Sequence, residues 1–246
     1  MEDTLSPRRE AFFRTILLIG LGLFLYSRLL SGAITFYINR RFTWLTWGAA
    51  LILLIMGIAQ GPRIRNLRSQ IPNSKSLGLP VWSYLALLVP LFLGVVIPPQ
   101  PLGASVVNNR GLTSAAGIAQ EGAVSSPTGT PVRRDILGWL RAFGPHPDPE
   151  AFAGQTVEVV GFVYRDEEMA ADQFMVARFL IVCCVADAIP VGLPVRYAEA
   201  AHLELDTWVR VRGTFAAGEV WGERLPVIVG DEVTVVPRPA QPYLYP

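Results

Sequence analysis

Cys183 and Cys184 stand side by side, and they are the only cysteines in 246 residues. Thiolates are soft donors, so a neighbouring pair can hold a thiophilic metal ion or a trivalent metalloid, with Asp187 offering an oxygen as a third ligand. Successive side chains on a regular strand point to opposite faces, so both sulfurs can meet one ion only where the strand ends or bulges. The Val185-Ala186-Asp187-Ala188 segment is a place for such a turn. Two other readings stay open. A vicinal disulfide suits an oxidising compartment but closes a small, distorted ring. Two small buried residues at the end of an apolar run would need no chemistry at all, since free cysteine is among the most buried residue types.

The remaining chemistry-bearing residues are scattered. His146 lies among Pro145, Pro147 and Pro149, and His202 could join a cysteine site or simply face water. Asp166, Glu167 and Glu168 read as a solvated acidic turn, while Arg178 sits in an apolar stretch and needs a partner such as Glu158 or Asp187. Neither a nucleophile elbow nor a phosphate loop nor an HExxH pattern is present, so the chain is expected not to be an enzyme and to carry no catalytic residue.

The elements that must position these residues divide the chain in two. Residues 1–120 hold 11 of the 21 basic residues but only 3 of the 20 acidic ones; the rest of the chain is acidic. An acidic second half lacks the Lys and Arg cluster that phosphate binding requires, so nucleic acid is not expected as a partner. Hydrophobic residues make up 51% of the whole, concentrated early in three stretches: Ala11 to Leu30, Phe42 to Ala59 and Pro80 to Ile97. Each approaches the ~20 residues that cross a bilayer, which predicts a helical membrane region over 1–97 with three transmembrane helices. A cleaved signal sequence would account for the first stretch alone, although Arg28 just before its end argues for a retained helix, continuing or breaking at Ser31 and Gly32. Arg8, Arg9 and Arg14, with Arg63, Arg65, Arg68 and Lys75, place the N-terminus in the cytoplasm and the C-terminal domain outside it, against the opposing pull of Arg40 and Arg41. The spans hold no carboxylate or histidine, so they offer a cation no path of their own.

Pro98-Pro99-Gln100-Pro101 cannot continue a helix, and the Gly- and Ser-rich residues 98–131 read as a flexible linker. Residues 132–246 are expected to form the extracytoplasmic domain. Ile136, Leu137, Leu140 and Phe143 fall at helical spacing and predict one short amphipathic helix over Asp135 to Phe143. Beyond Gln155 the pattern becomes β: Thr156 to Val163, a near-continuous run from Phe174 to Cys184, Trp208 to Phe215, Leu225 to Val229 and Glu232 to Val236. Short strands punctuated by Gly161, Gly192, Gly213 and Gly230 fit a small mostly-β domain, nearest to an OB-like barrel.

Several of these strings carry a resemblance. Gly154-Gln155-Thr156-Val157-Glu158, Gly161-Phe162-Val163-Tyr164-Arg165, Cys183-Cys184-Val185-Ala186-Asp187-Ala188, Pro190-Val191-Gly192 and the closing Pro242-Tyr243-Leu244-Tyr245-Pro246 resemble the YcgQ-like family of permease subunits. In the first half, Pro98-Pro99 to Pro101-Leu102-Gly103 and Asn109-Arg110-Gly111 are similar to that family's exit from its last span. The resemblance implies an accessory membrane subunit whose usual companion is a separate polytopic YcgR-like permease, in a system associated with metal or metalloid solutes, trivalent organoarsenicals among them. Many members have a His-rich segment after the second span. Here Gln60 to Leu79 has no His or Cys, so no metal-collecting role is implied there. The alternative to a permease subunit is a stand-alone extracytoplasmic metal-binding or thiol-redox domain on a membrane anchor.

Overall fold

The computed structural model describes residues 7–66, 81–111, 134–145 and 147–246, which fall into two compact units, Met1–Gln100 and Pro101–Pro246. In the first unit, long runs of apolar residues give α1 (Pro7–Leu30) and α2 (Thr43–Asn66), and a shorter α3 (Val81–Val96). Helix α1 stops where Gly32 takes a left-handed φ of 71°, a conformation that only glycine adopts without a Cβ penalty. Of the two open expectations for this stretch, the break at Ser31 and Gly32 is the one observed.

Helices α1 and α2 run antiparallel. Near one end Tyr26 meets Trp47 edge-on at 5.7 Å, and near the other Ile19 lies against Gly57. A Cβ on Gly57 would come within 2.6 Å of Ile19 Cγ1, and one on Gly22 within 2.8 Å of Leu54, so the glycines set the closeness of the pair. Helix α3 runs parallel to α1: Leu91 lies by Gly20, Phe24 by Gly94, and the Arg28 guanidinium donates to the Gly94 carbonyl while lying over the Phe24 ring. That carbonyl belongs to the last turn of α3, where helix carbonyls lack internal partners.

The segments Ala11–Leu30 and Arg40–Gln60 are long and apolar enough to cross a membrane, yet only 6% and 17% of them are buried within the protein. A core helix of a soluble protein would be mostly buried, whereas here Leu23, Leu51, Ile55 and Ile58 face outward. The third expected span is a helix of 16 residues, short of the ~20 that a perpendicular crossing needs, and it holds Pro90 in its interior.

The second unit starts earlier than the linker expectation of 98–131 allows. Residues 112–133 lie outside the described residues, but Ala104–Arg110 is a helix, α4, whose Ala104 and Val107 are buried in a core with Phe162, Met175, Phe179 and Tyr243. The amphipathic helix is present as α5 (Ile136–Phe143): the Asp135 side chain caps it by accepting from Gly138 N–H at 2.8 Å, and Trp139 joins the four expected apolar residues in its buried face. A single turn, α6 (Pro149–Phe152), leads into the sheet.

The strands are β1 (Thr156–Tyr164), β2 (Gln173–Leu180), β3 (Ile189–Arg196), β4 (Trp208–Val220), β5 (Glu223–Val235) and β6 (Tyr243–Leu244). Their order is β1-β4-β5-β3-β2-β6, with β1 also paired to β2, so the ladder returns to its first strand; β3 meets β5 in parallel and β6 joins β2 in parallel. The runs Leu225 to Val229 and Glu232 to Val236 belong to one long strand, with a register shift opposite Arg212 and Gly213. A Cβ on Gly213 would lie 2.0 Å from the Val229 carbonyl oxygen, a clash no other residue avoids. The run from Phe174 to Cys184 leaves the strand at Leu180. Its continuous apolar character has a cause. Phe174 and Val176 face the core built on α5, and Met175, Ala177 and Phe179 face the core built on α4, so β2 is covered on both sides.

Candidate thiol site

The chain leaves β2 after Leu180 with one last tie, Ile181 N–H to Leu244 O at 3.0 Å. Val182 and Cys183 are exposed and Cys184 is half-buried; both cysteines are free thiols. Cys184 has extended backbone (φ −153°, ψ 174°) and starts a 3-10 turn over Val185–Asp187 that hands the chain to β3. The Asp187 carboxylate reaches back over this turn. Its Oδ1 accepts from Val182 N–H at 3.1 Å, and its Oδ2 accepts from Cys183 N–H at 2.6 Å and Cys184 N–H at 3.1 Å. Three converging donors make a small anion nest, with the acceptor being a residue of the turn itself.

The outcome is that one ligand atom each from Cys183, Cys184 and Asp187 lie within 4.8 Å of one another. The three residues singled out in the sequence are thus brought together, and the strand-parity obstacle disappears because neither cysteine belongs to a strand. Partial desolvation by the turn, then the adjacent Cys184, to which it is hydrogen-bonded, and the Asp187 carboxylate, push the Cys183 thiol above its ordinary value, so the thiol is protonated at neutral pH. The far side of the turn is held by Arg110 of α4, whose guanidinium donates to Ala188 O at 2.6 Å and Val185 O at 3.3 Å. Sequence reasoning passed over Arg110 as a site residue. No spacing rule links it to a turn more than seventy residues away.

The other candidates are placed elsewhere. His202 is exposed on a 3-10 turn, Ala200–His202, and is not part of the ligand group; His146 lies outside the described residues. Arg178 pairs with neither Glu158 nor Asp187. It donates to Pro242 O at 3.0 Å and to Gln241 O, with its guanidinium over the Trp208 ring, because β6 and its leading residues lie beside β2. Glu158 is taken by Arg212 and Arg210 of the neighbouring strand. Asp166 is more than a solvated loop residue: it accepts from the Trp221 indole N–H at 2.9 Å, steadying the β4–β5 turn where Trp221 and Gly222 both have positive φ.

Two family models match the chain in succession. Residues 13–113 match the family described as the DUF1980 N-terminal domain, and residues 138–246 match the DUF1980 C-terminal domain. The chain is similar to the UPF0703 protein YcgQ of Bacillus subtilis, 22% identical over 95% of this chain and 99% of the relative. It is also similar to a protein of Streptococcus mutans named "Putative two-component membrane permease complex subunit", 24% identical over 94% of this chain and 98% of that one. No solved structure matches it.

Proposed function

The chain belongs to the DUF1980 family, with both of its domains in order, and from that premise we propose that it is the accessory membrane subunit of a two-component permease system. The observation that carries this reading is the match, along nearly its whole length, to the Streptococcus mutans protein named as a membrane permease complex subunit. The outward apolar faces of α1 and α2 support it, since lipid or a partner's helices would cover them. In this reading α1, α2 and α3 are three spans packed up, down and up. The N-terminus is cytoplasmic and the β unit extracytoplasmic, with its returning strand ladder forming an OB-like barrel. The spans anchor and pack; a polytopic permease of the YcgR-like kind conducts the solute, and this chain performs no catalysis of its own. The grouping of Cys183, Cys184 and Asp187 favours a metal or metalloid as that solute.

Affinity purification of the full chain in mild detergent, from cells that also make the permease, tests the assignment. The permease is expected to co-purify in fixed proportion. Recovery of this chain alone while the permease is abundant in the same membranes overturns it. The thiol grouping also favours the second reading, a metal-binding domain that works without a permease, and that reading gains if the chain binds metal yet recovers no partner.

A further inference from the structure

The thiol turn is more specific than a list of three donors suggests. Both Asp187 oxygens are already engaged, Oδ1 with one backbone N–H and Oδ2 with two. Binding a cation through Asp187 would compete with three backbone bonds that shape the turn, whereas the sulfurs are engaged by weaker thiol hydrogen bonds, between Cys183 and Cys184 and from Asp187 N–H to the Cys184 side chain, which metal–sulfur bonds can replace. Among the described residues the ligand group has no fourth member. A structural zinc ion requires four ligands in tetrahedral array, and a hard cation requires six or more oxygens. Two thiolates satisfy a soft ion of low coordination number. Their separation, within 4.8 Å, is one that two metal–sulfur bonds of about 2.3 Å can bridge.

We infer that Cys183 and Cys184 form a two-sulfur clamp for a soft monovalent cation of the copper(I) class. Asp187 and Arg110 are positioning residues that hold the clamp's backbone from its two sides. This deepens, and rests on, the reading of the chain as a subunit that handles thiophilic solutes. As each sulfur–metal bond forms, its thiol releases a proton to solvent and the ion keeps its oxidation state. Cys183 is exposed, which suits an ion that is received and passed on rather than stored. The Arg110 tie places the clamp under the control of α4, since Ala188 and Val185 carbonyls bond to that helix and Val107 and Ala104 bury it in the same unit.

The test uses the full chain in mild detergent, reduced and anaerobic, titrated with copper(I) against a chromogenic copper(I) chelator. Wild type is expected to withdraw one ion per chain. Cys183→Ser and Cys184→Ser are each expected to weaken binding at least about 100-fold, and Asp187→Ala and Arg110→Ala about 10-fold to 100-fold, the range typical of groups that orient ligands. Copper-edge X-ray absorption separates the roles: wild type and both positioning variants should show two sulfur neighbours and no protein oxygen. Arg110→Lys should recover part of the affinity. An oxygen neighbour that vanishes in Asp187→Ala overturns the positioning role. Retention of copper by the Cys183→Ser, Cys184→Ser double variant, or none by folded wild type with two titratable thiols, overturns the clamp. Co-purification of that double variant with the permease keeps the two proposals apart: a partner without copper leaves the subunit reading standing, and copper without a partner leaves the clamp.

Discussion

At the scale of single residues, the half-buried guanidinium groups of Arg165 and Arg178 are held by carbonyl oxygens rather than by acids. Arg178 is the clearest case. Burial lowers its pKa from the ordinary arginine value, with Asp135 and Tyr245 pulling the other way, yet a guanidinium remains charged and must be fully hydrogen-bonded. The Pro242 and Gln241 carbonyls meet that need, and in doing so fix the C-terminal segment against β2. Replacing Arg178 by Ala should cost about 2–3 kcal/mol, on the order of one hydrogen bond to a charged group with its packing on Trp208. The check is a urea midpoint together with protease release of the last few residues, which should precede global unfolding in the variant. The expectation of Glu158 or Asp187 as partner failed because sequence cannot reveal register: Glu158 lies directly across from Arg212, and the tail that reaches Arg178 is remote in sequence. The thiols give a second expected outcome. Because the folded protein holds the Cys183 proton more tightly than the unfolded chain does, its contribution to stability is present below the ordinary cysteine value and is lost as pH rises through the raised one. Alkylation, which needs the thiolate, should follow a pH curve displaced upward from that of a cysteine peptide, and unfolding in urea should remove the displacement.

At the scale of elements, legibility follows from whether a signal is local. Helix α5 was readable because Asp135 is a good cap and Ile136, Leu137, Leu140 and Phe143 repeat at helical spacing. Its face contacts β3 and Phe215 and fills the larger core, so Leu140→Ala should cost about 2–5 kcal/mol, read from the shift in denaturant midpoint at constant slope. Strand β3 was not readable. Pro190, Gly192 and Pro194 are strand breakers locally, but β2 pairs along all eight residues on one side, while on the other β5 meets only Val195 and Arg196. The two prolines share one parity, so their missing donors fall on the open side and break no bond of the β2 ladder. Helix α4 was missed for a related reason: seven residues between Gly103 and Gly111 look like linker until Val107 finds its core. In the first unit, Gly57→Leu forces a side chain into Ile19, where even a Cβ is too close. The expected loss is about 1–3 kcal/mol of helix-pair stability, seen as a lower unfolding temperature in detergent with helix content unchanged before the transition.

At the scale of the whole chain, a basic, apolar first part and an acidic second part imply that the two work in different surroundings. Apolar side chains that point away from the first unit cannot face water in such number, and the second unit builds two ordinary buried cores. The side of the membrane on which the second unit lies can be read with the protein's own chemistry, since Cys183 and Cys184 are the only cysteines in the sequence and Cys183 is exposed. If the basic segments lie inside, a membrane-impermeant maleimide should label intact cells, at mildly alkaline pH because the Cys183 thiol is raised. Cys183→Ser should remove most of that label, because Cys184 is only half-exposed. Labelling that requires permeabilised cells would place the thiols in the cytoplasm and reverse the orientation. In that case Arg40 and Arg41 outweigh Arg8, Arg9 and Arg14, and the clamp would meet its ion on the cytoplasmic side of the permease. Excess copper(I) added beforehand should protect the cysteines from the maleimide in wild type, tying topology and metal chemistry to a single readout.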